Sequence, residues 1–162
     1  MVKTRKKTRK KSKKKHTYKK RDYISNDGML TSVWGPPLWH VLHCISFNYP
    51  NKPSVKDKKH YRNLITNLKH VLPCKYCRNN LKKNLKSLPL TNNDLKNRTC
   101  FSKWMFKLHE LVNTMLGKKS GLKYCDIRER YEHFRSRCTT KKDKKYPVKK
   151  IKIFLNKTRK IR

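Results

Sequence analysis

The sequence predicts an all-α fold: a four-helix bundle with a short fifth helix, flanked by disordered basic tails. Apolar residues recur at helical spacing through four long segments, and Gly or Pro marks the breaks between them. No stretch alternates convincingly as a strand, Val148 to Leu155 being the nearest candidate. Helices separated by short breaks, each with one apolar face, bury those faces against one another.

The first helix is expected from Gly35-Pro36-Pro37, because proline is tolerated in a first turn. Leu38, Trp39, Leu42, His43, Ile45 and Ser46 give it a face up to Phe47, and Tyr49 to Pro53 must end it. A second helix is predicted from Val55 or Asp57 to Val71, with Tyr61, Leu64, Ile65, Leu68 and Leu72 turned inward. Pro73 separates it from a third, which opens at Cys74 and carries Leu81, Leu85 and Leu88. Leu90 to Asn97 reads as a loop in which Thr91 caps a short turn. The strongest period spans Phe101 to Leu116, where Phe101, Trp104, Met105, Leu108, Leu111, Val112, Met115 and Leu116 form one broad face. Gly117 stops it, and a short last helix follows over about Asp126 to Phe134.

The chain has 162 residues and a formal net charge of +37. Much of that charge is peripheral: residues 1–21 hold 13 Lys or Arg and no acid, and residues 141–162 hold 11 with Asp143 as the single acid. Such arms bury too little apolar surface to offset the entropy of ordering. The expected organisation is a basic tail over 1–24, one folded domain over 25–138 and a second basic tail over 139–162. A core of that length supports one hydrophobic centre and no second domain. The best apolar run, Val41 to Phe47, is interrupted by His43 and Ser46 and falls far short of the roughly 18 residues of a membrane span. The opening arm also lacks the apolar stretch of a signal peptide and the spaced arginines of a mitochondrial presequence. The expected setting is therefore cytosolic or nuclear. Six cysteines there point to redox or metal chemistry rather than a disulfide scaffold.

Cys74-Lys75-Tyr76-Cys77 is the most informative motif. Two sulfurs on the first turn of a helix sit beside unpaired backbone N–H groups and the positive end of the helix dipole, which favour thiolate. The pair is close enough to open and close as a disulfide. A dithiol alone passes electrons to oxygen slowly, so an oxidase needs a carrier beside it. Trp39 with His43, and His109 with Asn113, lie four residues apart on two helices, and each pair presents a face. Taken singly these are ordinary core residues; beside the cysteine pair they are candidate walls of a cofactor site. The competing reading is a zinc-bound, basic nucleic-acid-binding module, with Cys100 and Cys125 completing four ligands. Those two stand 25 apart instead of forming a second close pair, which leaves the zinc pattern incomplete.

Trp34-Gly35, Trp39 to His43, Tyr49-Pro50, Pro73 to Cys77, Leu108-His109, Val112-Asn113, Leu116-Gly117-Lys118 and Arg130-Tyr131 follow one another in an order and spacing that closely resemble the Erv/ALR family of FAD-linked sulfhydryl oxidases. The likeness covers about residues 30 to 134 and is strongest toward short viral members. It implies a helical bundle holding FAD, usually as a homodimer, that forms disulfides in dithiol client proteins or a thioredoxin-like relay and delivers the electrons to O2 as H2O2. By the same resemblance Cys77 is the sulfur beside the flavin and Cys74 exchanges with incoming thiols. Trp39, His43, His109 and Asn113 match positions lining FAD, with Tyr76, Lys118, Arg130 and Tyr131 as further matches. No metal is implied. The viral likeness points to the cytoplasm of an infected host cell, with packaging in the virion as an extension.

Some positions depart from the family's pattern: Pro36 stands where Arg or Lys is frequent, Glu110 where Asn is, and Phe106 where many relatives have a structural cysteine. Cys125 thus lacks its usual partner, and a Cys100–Cys125 bridge stays open. Cys44 reads as an inert buried thiol. Relatives often ferry electrons through a cysteine pair on a tail, yet residues 1–33 contain no cysteine. Direct attack of the client on Cys74 is expected, with Cys138 dispensable.

The tails should bind polyanions by counterion release, without reading bases. Affinity for duplex DNA should therefore fall steeply between low and high salt and be lost on deletion of residues 1–21 and 141–162. Salt-independent binding in a titration would contradict the electrostatic account.

Overall fold

A computed structural model of the protein describes residues 19–26, 28–135 and 159–160. Five α-helices follow in order: α1 Thr31–Phe47, α2 Val55–Val71, α3 Lys75–Ser87, α4 Arg98–Met115 and α5 Tyr124–His133. One 3₁₀ turn, Lys20–Ile24, precedes them. Two two-residue strands, β1 (Lys118–Lys119) and β2 (Arg159–Lys160), pair antiparallel. The all-α reading holds, with four packed helices and a short fifth. The 3₁₀ turn falls where a disordered tail was expected; the Asp22 carboxylate accepts from the Lys19 N–H and gives that segment a local partner. Cys138 and the strand candidate Val148 to Leu155 lie outside the described residues.

Local chemistry sets most helix ends. Ser54 caps α2, its hydroxyl accepting from the Asp57 N–H at 3.1 Å while the Asp57 carboxylate accepts from the Ser54 N–H at 2.9 Å. This reciprocal pair satisfies two donors that a helix start otherwise leaves open. Asn97 caps α4 through a single bond, its side-chain oxygen accepting from the Cys100 N–H at 2.9 Å. Beyond the far end of α4, Gly117 takes φ +63, a left-handed position suited to glycine. Thr91 and Asp94 form the short turn expected in the loop, again by mutual side-chain to backbone bonds.

α1 begins four residues earlier than predicted, so Pro36 and Pro37 lie inside it. Each removes one helical donor, leaving the carbonyls of Ser32 and Val33 without that bond. Both residues are exposed, so water replaces the lost partners.

The main contact is α1 on α4; α2 packs on α3, α3 reaches α4, and α5 closes against α1 and α4. One core cluster gathers Leu42, Tyr49, Ile65, Leu81, Leu95, Phe101, Trp104, Met105 and Leu108. A second gathers Phe47, Ile127 and Tyr131 beneath α5. Polar bonds tie the connections down: Tyr49 Oη donates to the Leu95 carbonyl at 2.9 Å, and Arg98 Nε to the Tyr49 carbonyl at 2.7 Å. Arg135 bonds both Glu132 and the Phe47 carbonyl, fastening the end of α5 to the end of α1. Leu64, Met115 and Leu116, expected inward, are exposed, whereas Leu95 in the predicted loop is fully buried. No described helix is long and apolar enough to cross a membrane.

Leu95→Ala should cost about 2–5 kcal/mol by leaving a cavity in a packed core. Leu64→Ala, at a residue 39% exposed, should cost under about 1 kcal/mol. Urea denaturation of the two variants separates them, and equal losses would contradict this burial.

Candidate active site

Pro73 ends one helix and frees the backbone to turn into the next, placing Cys74 at the N-cap of α3 with extended φ and ψ. Its sulfur accepts the Cys77 N–H at 3.2 Å. Both are free thiols, and they are not equivalent. The Cys77 thiol and its N–H, followed by the Thr31 hydroxyl and the Tyr76 N–H, hold the Cys74 thiol below its ordinary value. Burial first, and then the bond to Cys74, push Cys77 up. In the dithiol the charge therefore belongs to Cys74 and the proton to Cys77. Their surroundings agree, because Cys77 packs against the first core cluster, as Trp34, Leu38 and Trp39 also do.

A ladder of rings starts at Trp39. It stacks on His109 of α4 with centroids 4.1 Å apart and planes 8° from parallel. His109 Nδ1 and His43 Nε2 share a hydrogen bond of 3.0 Å. His43 stacks in turn on Tyr131 of α5 at 5.1 Å, and Tyr131 on Phe47 at 5.3 Å. Three helices are thus joined by rings of which none is charged near neutral pH. Burial, followed by the positive fields of His109, His40 and Arg130, lowers His43 to about 3. Burial likewise lowers His109 to about 4, against the pull of Glu110. Tyr131 is pushed up to about 12 by burial.

Asn113 is buried next to this ladder, and its Nδ2 donates to Glu110 Oε1 at 2.9 Å. A carboxylate only accepts, so the amide nitrogen must face Glu110 and the amide oxygen is turned elsewhere. Ser120 fixes the other carboxylate oxygen at 2.9 Å. Lys118 acts electrostatically on His109, and Arg130 on His43, so both cations belong to the same neighbourhood. Tyr76, between the cysteines, is 79% exposed and stands apart from the ladder. Of the residues singled out in the sequence, the structure thus gathers Trp39, His43, His109, Asn113, Lys118, Arg130 and Tyr131, while Cys77 shares with Trp39 the packing against the first core cluster.

One buried atom of the ladder has no partner among the described residues: His43 Nδ1, on a residue 2% exposed. An unpaired buried ring nitrogen costs free energy unless something binds it. Stacking rings, that open nitrogen, an oriented amide and two nearby cations are together the donor set for a planar aromatic cofactor bearing phosphates. A separate cavity of about 310 Å³ is lined by Cys44, Phe47, Asn48, Tyr131, Phe134 and Arg135. It shares Tyr131 and Phe47 with the far end of the ladder and touches neither cysteine of the pair. Cys44 is a thiol raised by burial, in keeping with an inert role.

The four-cysteine zinc arrangement does not form. Among the described residues no group of three or more His, Cys, Asp or Glu could hold a metal ion. Cys100 and Cys125 are free thiols, the latter bonded to the Asp126 carboxylate. Two functional neighbours were not visible in the sequence. Thr31 lies 46 residues before Cys77 yet has its Oγ1 3.7 Å from that sulfur. Glu110 shows in the sequence only as a departure from a pattern, while its grip on Asn113 needs the α4 turn and Ser120 together.

Comparison with known proteins adds a family. A family model described as Erv1 / Alr family matches residues 36–147. A probable FAD-linked sulfhydryl oxidase of Acanthamoeba polyphaga mimivirus is 35% identical over 91 residues, covering 56% of this chain and 64% of that protein. An FAD-linked sulfhydryl oxidase of African swine fever virus is 36% identical over 86 residues, covering 53% of this chain and 70% of its own length. The match thus spans less than two thirds of the mimivirus relative. The crystal structure of the yeast Erv1 core superposes with a TM-score of 0.58 at 21% identity, over 76% of this chain and 97% of that one, a likeness of fold.

The neutral histidine pair has a consequence for stability. Unfolded histidines take up a proton near 6.5, whereas folded His43 and His109 do so only near 3 and 4. Below 6.5 the unfolded chain binds more protons, so stability falls with falling pH, by about 1.4 kcal/mol per pH unit for each histidine at the steepest. Urea midpoints measured from about pH 7.5 to about pH 5 should drop accordingly, and His109→Gln should roughly halve the slope. A flat profile for the native chain would mean that the pair is not held neutral.

Proposed function

The chain belongs to the Erv1 / Alr family, and on that premise we propose that it is an FAD-linked sulfhydryl oxidase, converting two thiols and O2 into a disulfide and hydrogen peroxide. The observation that carries this reading is the cysteine pair itself. Cys74 bears the thiolate at a helix start, and Cys77 packs inward against the same core cluster as Trp39, the first ring of the neutral ladder. No metal chemistry is needed.

In the proposed cycle the resting pair is a disulfide. A client thiolate forms a bond to the Cys74 sulfur, the Cys74–Cys77 bond breaks, and the negative charge moves to Cys77. The client's second thiol, having lost its proton to solvent, attacks its own mixed disulfide and releases Cys74 as thiolate. Backbone N–H groups of the first turn of α3 stabilise that charge, which makes Cys74 a good leaving group. While Cys74 is tied to the client it carries no charge, so the repulsion and the hydrogen bond to the Cys74 thiolate that keep a proton on Cys77 in the dithiol are gone. Cys77 then holds its charge more easily than in the free dithiol.

Trp39, His43, His109, Asn113, Lys118, Arg130 and Tyr131 would hold FAD, with Tyr76 a peripheral contact. Trp39 and His109 already stack on each other, so their ring faces are set before any ligand arrives. His43 Nδ1 and the Asn113 amide oxygen are the free polar atoms for ring or ribose edges, and Lys118 and Arg130 the charges for phosphate. When bound, FAD would supply a two-electron acceptor for the reduced pair and a donor to O2. Neutral His43 and His109 keep the site's charge constant through the physiological range.

Client proteins with paired thiols, or a thioredoxin-like relay, are the substrates of this proposal, and a homodimer is its assembly. Val33 and Val41 of α1 and Leu64 of α2, large, apolar and exposed, support the dimer.

A purified preparation should be yellow, consume O2 with a small dithiol and sediment as a dimer. Cys77→Ser should keep its flavin absorbance while turnover falls by more than about 100-fold. A colourless, folded protein without oxygen uptake would remove the proposal.

A further inference from the structure

We propose that Thr31 is a positioning residue for the redox pair, its hydroxyl donating a hydrogen bond to the Cys77 sulfur and holding the charge that arrives there when Cys74 is attacked. The role rests on the oxidase reading, while the bond itself does not.

The geometry is built by a short strap ahead of α1. Gly28 has φ +82, and a Cβ there would stand 2.6 Å from the Pro73 carbonyl oxygen and 3.5 Å from Cys74 Cα. Only a residue without a side chain brings the backbone so close to the turn that carries the cysteines. Met29 N–H then donates to the Pro73 carbonyl at 2.7 Å, and the Trp34 indole N–H clamps the Met29 carbonyl at 3.1 Å. The next residues turn into α1, and Thr31 Oγ1 arrives 3.7 Å from Cys77 Sγ, within hydrogen-bond reach of sulfur. The threonine methyl lies over Gly35, 3.4 Å from where a Cβ would be. With that methyl seated, the β-branched side chain keeps its hydroxyl on the sulfur side.

The chemistry needs such a donor at one moment. In the dithiol, Cys74 carries the charge and is served by the first turn of α3. After attack the S–S bond is broken, Cys74 is neutral in a mixed disulfide, and a full charge sits on a partly buried Cys77. A hydroxyl beside it then makes a charge-assisted bond, about twice as strong as a neutral one. The hydroxyl favours the ionised form of both sulfurs, so it also serves when charge returns to Cys74.

The test measures Cys77 ionisation directly. In a Cys74→Ala background, alkylation of Cys77 is followed against pH by mass spectrometry in the full chain, with Thr31, Thr31→Val and Thr31→Ser compared. Thr31→Val keeps the shape and removes the donor, and should raise the midpoint by half a unit or more, roughly a threefold loss of thiolate at neutral pH. Thr31→Ser should restore it. Gly28→Ala, which unseats the strap without touching the hydroxyl, should reproduce the rise. In the otherwise native holoenzyme, Thr31→Val should lower kcat on a small dithiol by roughly three- to tenfold and leave flavin binding intact. An unchanged Cys77 titration in folded Thr31→Val or Gly28→Ala overturns the proposal, as does a failure of serine to rescue. Because alkylation needs neither flavin nor O2, a protein that proves to be no oxidase would still report whether this bond exists.

Discussion

The hydrogen bond between His43 and His109 joins the two most extensively packed helices at a point where neither ring can take up a second, charging proton. A charge on either would be buried, unpaired and close to further cations in a strongly basic chain, so the neutral form is the one compatible with folding. From that pair the architecture extends both ways. Trp39 leans on His109 and packs against the first core cluster, and Tyr131 leans on His43 toward the second core cluster and α5. The bond therefore holds the redox end and the α5 end in register, and the cost of desolvating two polar rings is offset by stacking on aromatic neighbours.

The cysteine pair obtains direction from the helix it opens. Two identical thiols separated by one helical turn would be interchangeable in solution. Here one caps the helix and accepts its N–H groups, while the other has turned inward against apolar side chains. Environment alone splits them, one eased into charge and the other pushed away from it, and a sequential relay needs that inequality.

What the sequence disclosed is what is settled locally. α2 carries its own start signal in Ser54 and Asp57, and its observed ends match the expected ones. α4 was clear from its repeating aromatic face, as was Gly117 from its backbone freedom. The prolines of α1 look like a helix beginning, whereas its start is fixed by the docking of Met29 on Pro73, a contact 44 residues away in the chain. The burial of Leu95 is not marked in the sequence, since nothing in an Asn-rich loop announces that Tyr49 and the bundle core close over it. The site was legible as a set of residue types on helical faces. The order of its rings, the unpaired nitrogen of His43 and the hydroxyl of Thr31 were not, since each depends on the mutual placement of α1, α3 and α4.

The close pass of Gly28 over the cysteine turn also fixes where the upstream chain is anchored. The chain leading into α1 is tethered where a Gly28 Cβ would stand 3.5 Å from Cys74 Cα, and a short tether sets a local concentration in the millimolar range whatever the bulk dilution. A thiol placed there would compete with free clients as an intramolecular reactant. This chain offers none upstream; residues 1–21 supply 13 Lys or Arg instead. A polycation joined to the chain at that point would make the rate of any charged reactant at Cys74 depend on ionic strength, whatever the reactivity of its thiols.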